Sequence, residues 1–119
     1  MLMSRILTTV LAGAITAVIA LCAPQSAIAQ SITCTPVQVA DFPGSRIHIL
    51  CAPPGAGNIK YFALGVGDAS EANRVLSLAA SALVANRKLL IYFNPNDLSG
   101  TAFGCQNADC RAILGIELF

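Results

Sequence analysis

The chain has 119 residues, a formal charge of +1, and only 11% charged residues against 55% hydrophobic ones. Setting aside Arg5, which falls in an apolar leader, six basic residues face six acidic ones without a Lys/Arg cluster. Neither the basic face of a nucleic-acid binder nor a long-range attraction to anionic membranes is therefore expected.

The first 29 residues have the three parts of a secretory signal peptide. Arg5 supplies the positive n-region, and 6–23 is an uncharged run rich in Leu, Val, Ile and Ala. Ala27 and Ala29 then stand at the −3 and −1 positions of a cleavage site before Gln30. The other reading is an uncleaved anchor, for which roughly 20 apolar residues are needed. Pro24 and the Ala-Ile-Ala site favour cleavage. Cys22 follows Leu21 rather than the small residue expected for lipoprotein processing, so it goes with the discarded segment. Export to the periplasm or beyond the cell is expected, with no membrane span after cleavage. Residues 30–119 then form a single domain with a thin core.

Four of the five cysteines remain after cleavage: Cys34, Cys51, Cys105 and Cys110. An even count in a short exported chain predicts two disulfides. Three pairings are open, of which Cys34–Cys51 and Cys105–Cys110 are the most local. A zinc site would call for paired C-x2-C knuckles, which the spacing lacks. No metal or cofactor is expected.

A first strand is expected over Ile32–Val39, where Pro36 demands an edge position or a bulge. Asp41-Phe42-Pro43-Gly44-Ser45 is a turn. Arg46–Cys51 alternates, with Ile47, Ile49 and Cys51 on one face and Arg46, His48 and Leu50 on the other, which is a second strand. A Pro/Gly-rich loop over Ala52–Asn58 leads to a third strand at Ile59–Val66.

The helix is predicted over Ala69–Asn86. Asp68 is its N-cap, and Glu71 completes a capping-box pattern. Val75, Leu76, Ala79, Ala80, Leu83 and Val84 form its apolar stripe, with Asn73, Arg74, Ser77, Ser81 and Arg87 opposite. Lys88–Phe93 is apolar enough for a central strand. Asn94–Gly100 is a loop of turn residues, the segment through Cys105–Cys110 is a second loop, and Ile113–Phe119 is the last strand.

The order β-β-β-α-β-β predicts a mostly β chain with one helix (α+β), either an OB-fold-like five-stranded barrel or a small sandwich carrying one helix. The segment 72–83 followed by Lys88-Leu89-Leu90-Ile91-Tyr92, together with the cysteine loop 104–111, resembles the pentamer-forming B subunits of bacterial toxins. The Shiga-type and subtilase/pertussis-like B subunits are the comparison. The resemblance covers residues 61–119 and implies a homo-oligomer, pentamer-like, with helices lining a pore, that recognises a glycan or a protein.

Catalytic signals are thin, and no catalytic residues are assigned. His48 is the only histidine, and an activated nucleophile needs a base within hydrogen-bond reach. A hydrolase would have to pair His48 with Asp41 or Asp97 through tertiary contacts. Asn94, Asn96 and Asp97 in one loop, with Asn107, Asp109 and Arg111 in the other, are the candidate ligand contacts, since their side chains make directional hydrogen bonds to hydroxyls. The expected function is a small secreted or periplasmic binding protein. The alternative is a monomeric envelope protein with a structural or inhibitory role.

Overall fold

In a computed structural model the described residues are 29–119, together with Gly13. The signal-peptide reading falls on residues that lie, apart from Gly13 and Ala29, outside the described ones.

Six strands form one curled sheet in the order β5-β3-β2-β1-β4-β6. The strands are β1 (Gln30–Phe42), β2 (Arg46–Ala52), β3 (Tyr61–Gly65), β4 (Leu89–Phe93), β5 (Cys110–Ala112) and β6 (Gly115–Leu118). Among the described residues a single α-helix, α1 (Ala69–Val84), connects β3 to β4. All strand pairs are antiparallel except β3–β5, which is parallel. Residues 30–119 are thus mostly β with one α-helix.

The curl originates in β1, which is long enough to serve two partners. Residues 30–34 ladder with β4, and residues 35–42 ladder with β2. Pro36 sits where the register with β2 shifts, between Pro36 and Gln38. Because β1 is interior to the sheet, the bulge and not an edge accommodates the missing N–H. The Cys34–Cys51 disulfide closes the open end of the β1–β2 hairpin with a Cα–Cα distance of 5.1 Å. Both cysteines are buried in the core.

The alternation in β2 survives as expected. Ile47, Ile49 and Cys51 are buried, while Arg46, His48 and Leu50 are half-exposed on the other face. Phe62, Leu89, Ile91 and Phe93 complete the inner face, and Phe62 meets Phe93 edge-on at 5.0 Å. Helix α1 lies against this core.

Asp68 caps α1 by accepting from the Glu71 backbone N–H at 3.1 Å. The Glu71 side chain turns to Arg74 instead of closing the capping box. The helix stops at Val84, two residues before the predicted end. There Asn86 adopts a left-handed conformation with φ +53°, and the Arg87 N–H donates to the Ala82 carbonyl at 2.8 Å. This is a Schellman ending, in which Asn tolerates the positive φ.

The buried stripe of α1 is Ala72, Val75, Ala79 and Ala82. Leu83 and Val84, expected within the stripe, are exposed, Val84 at 88%. Three alanines among the four buried positions set the helix close to the sheet. At about 100° per residue around the axis, Val84 falls on the side away from Ala72, Val75, Ala79 and Ala82, whereas Leu83 stays at the edge of that stripe and is 38% exposed.

The last predicted strand is replaced by two short ones. β5 lies ahead of it, and β6 is only four residues long. Three residues carry no readable alternation, and β5 exists through its parallel pairing with β3. Among the described residues no helix is long and apolar enough to cross a membrane.

Candidate ligand-binding cleft on the outer sheet face

The two loops singled out by composition come together through Arg111. Its Nε donates to the Pro95 carbonyl at 2.7 Å, and its Nη1 donates to the carbonyls of Asn107 and Cys110. Arg111 therefore clips the 94–98 turn to the cysteine loop, with most of its donors committed.

The neighbouring side chains are also used locally. Asn94 Oδ1 accepts from the Asn96 N–H at 3.0 Å, and Asp97 Oδ1 accepts from the Ser99 N–H at 2.9 Å. The Ser99 hydrogen bonds, and then the charge of Arg111, hold the Asp97 carboxyl below its ordinary range. Asn96 and Asn107 are exposed. These loop residues mainly shape the turns.

Asp109 belongs to a different place. Its carbonyl accepts from the Lys60 and Tyr61 N–H groups, both at 3.0 Å, which pins the cysteine loop to the start of β3. Its carboxylate stands 3.9 Å from Lys60 Nζ. The Cys105–Cys110 disulfide and Phe103 then fold over Ala63, which is completely buried although it lies on the outer face. Gly65, next on the same face, is approached so closely that an added Cβ would stand 3.0 Å from the Phe103 ring.

Beside this covered strip a cleft of about 310 Å³ opens, lined by Arg46, His48, Tyr61, Gly104, Gln106, Asp109 and Cys110. Three rings cross the outer face diagonally from β1 to β3. Phe42 meets His48 at 5.0 Å, and His48 meets Tyr61 at 5.3 Å. A cation flanks each end: the Arg46 guanidinium lies 4.4 Å from the Phe42 centroid, and Lys60 Nζ lies 5.6 Å from that of Tyr61.

Arg46 is held from behind. Its Nη1 donates to the Phe103 carbonyl at 3.3 Å, and that carbonyl also accepts from Ser45 Oγ at 3.1 Å. Gly104 makes this seat available. Its φ of +91° disfavours any side chain, and an added Cβ would stand 2.6 Å from Arg46 Nη1.

His48 Nε2 is buried and has no hydrogen-bond partner among the described residues. Burial first, and then the charge of Arg46, lower the imidazole pKa from its ordinary value. Among the described residues no carboxylate hydrogen-bonds to His48 Nε2. All four cysteines of residues 30–119 are in disulfides. Among the described residues no group of three or more His, Cys, Asp or Glu gathers around a metal position.

Tyr61, Phe42 and Arg46 were not among the expected contacts. The β2 alternation already places Arg46 beside His48. Phe42 and Tyr61, however, read only as a turn residue and as strand bulk, and nothing local marks them as neighbours of His48. No protein-family model matches the chain, and no curated protein or solved structure is significantly similar to it.

Proposed function

We propose that the chain is an exported OB-fold recognition module that binds glycans in the outer-face cleft. The OB reading takes β5 and β6 as two halves of one final strand. Only Ile113 and Leu114 separate them; the Ile113 N–H donates to Ala63 of β3, and the Leu114 N–H donates to Tyr92 of β4. One segment then ladders with both, giving a five-stranded barrel with the helix between its third and fourth strands. The two disulfides fit an oxidising compartment.

The observation that carries the recognition reading is the location and lining of the cleft. OB-folds bind oligonucleotides and oligosaccharides across strands 2 and 3, between the loops that follow strands 1 and 4. Here Arg46 and His48 come from β2, Tyr61 from β3, and Gln106 and Asp109 from the connection after β4. The even charge balance disfavours the oligonucleotide. An aromatic ring beside amide, carboxylate and guanidinium groups suits a sugar, which offers an apolar ring face and directional hydroxyls.

Ring assembly, the other implication of the toxin B-subunit resemblance, is supported by a mainly apolar groove of about 660 Å³ along α1 and β6, lined by Leu78, Leu90, Ile116, Glu117, Leu118 and Phe119. A discrete ring-sized mass in light scattering is expected; a monomer at all concentrations removes the ring. A glycan array tests recognition. Tyr61→Ala is expected to abolish its signals, while Asn96→Ala, in the neighbouring loop, retains them. Signals that respond only to Asn96→Ala would move the site to the loop, and an array with no signal removes glycan binding.

A further inference from the structure

We propose that Gln30 is a modification site: once the leader is removed, the chain closes its own N-terminus as a pyroglutamyl ring. Cleavage after Ala29, the part of the export reading above on which this rests, is what gives Gln30 a free α-amine. The cleft plays no role in it.

The reaction needs no second molecule. The lone pair of the Gln30 α-nitrogen attacks Cδ of the same residue's carboxamide. A new C–N bond closes a five-membered lactam, and the bond from Cδ to Nε2 breaks. Nε2 leaves as ammonia, carrying the proton that the amine gives up. Nothing is oxidised or reduced.

Three features favour this step. The first is placement. Ala29 lies outside β1, and Gln30 is its first residue, paired with Phe93 of β4. The expected cut therefore falls at the border of the folded body and leaves no tail. Gln30 is exposed, so little packing holds its carboxamide away from its nitrogen.

The second is reactivity. An α-amine titrates at about 7.7–8.0, whereas a lysine amine titrates at about 10.4. At neutral pH a sizeable fraction of the terminal amine is thus the uncharged nucleophile, while the lysines are almost wholly ammonium. Amine and carboxamide belong to one residue, and an intramolecular attack avoids the entropy cost of bringing two molecules together.

The third is the fit of the product. Gln30 has the strand parity of Ile32 and Cys34, which face the core, and its partner Phe93 is buried. A terminal ammonium there has to keep its hydration beside apolar neighbours. The lactam is neutral, and its nitrogen retains one N–H, as an interior residue does, so the pairing with Phe93 is kept. Closure also removes the free amine by which an aminopeptidase holds a chain.

The test expresses the full 119-residue precursor with export and measures the intact, unreduced product by mass spectrometry. The expected species is residues 30–119 with both disulfides, lighter by one ammonia on isolation or after incubation at neutral pH. Tandem spectra are expected to place that loss in the N-terminal peptide. Gln30→Ser keeps a small residue after the cut and is expected to show no ammonia loss, which separates cyclisation from chemistry at the asparagines. A product that starts at Gln30 and still carries its amine after prolonged incubation, or an ammonia loss that persists in Gln30→Ser, overturns the inference and leaves export standing. A product that retains the leader, or starts at another residue, removes the cleavage reading and the inference together.

Discussion

Replacing Cys34 and Cys51 together by alanine tests how this small domain is held closed. The bridge joins residues separated by 17 in sequence, whereas Cys105–Cys110 joins residues separated by 5. In the chain-entropy account the first loop is worth roughly 3 kcal/mol and the second roughly 2 kcal/mol. A domain of this size has a total stability of roughly 5–10 kcal/mol, so losing the first bridge removes a large share of it. The loss of two buried sulfurs from the core adds to the deficit. With a urea dependence of about 1 kcal/mol per molar, the midpoint falls by about 3 M for Cys34→Ala/Cys51→Ala and by about 2 M for Cys105→Ala/Cys110→Ala. Far-UV circular dichroism in urea measures both.

The two variants also separate stability from site geometry. The Cys105–Cys110 loop supplies Gln106 and Asp109 to the cleft wall, so its loss is expected to shift the His48 ring signals in the folded protein. Loss of Cys34–Cys51, on the core side of the sheet, is expected to leave them nearly in place. A greater loss of stability from the shorter loop, or an unchanged His48 environment without it, refutes this reasoning.

Gly104→Ala places a Cβ at φ +91° and 2.6 Å from Arg46 Nη1. A loss of about 1–3 kcal/mol is expected by thermal unfolding, together with displacement of Arg46 and weakened cleft binding. Asp68→Ala removes the N-cap bond to Glu71 and is expected to cost about 1 kcal/mol without affecting the cleft, again by thermal unfolding. The His48 pKa, read by NMR, is expected below the ordinary 6.5 and closer to it in Arg46→Gln. Because the unfolded chain binds the proton more readily, the contribution of His48 to stability is present above pH 6.5 and is lost as pH falls toward its folded pKa. Urea midpoints across that window check the sign.

The strands with a readable period were legible within a few residues, and so was the helix start, because burial on one side imprints alternation and Asp68 offers a cap. The stripe of α1 was legible only in part. Val75 and Ala79 are buried as expected, but the sheet selects Ala72 and Ala82 over the larger Leu83 and Val84, since close approach favours small side chains. Arg111 joins the two candidate loops in space, yet hydrogen-bonding capacity does not reveal whether a polar atom faces a ligand or its own backbone. Asn94, Asp97 and Arg111 bond within the loops, while Asp109 alone of the six expected contacts lines the cleft.

By itself, the sequence determined the mostly β character, the single capped helix and the expectation of two disulfides, each written in composition or in residues near one another along the chain; which cysteines pair was settled by the fold. Tertiary structure alone decided that β5 pairs in parallel with β3, that β1 serves two partners, and that Phe42, His48 and Tyr61 form one row. Those arrangements join three strands and a disulfide loop across a curled sheet, and no local spacing encodes a contact whose partners meet only when the sheet closes around its core.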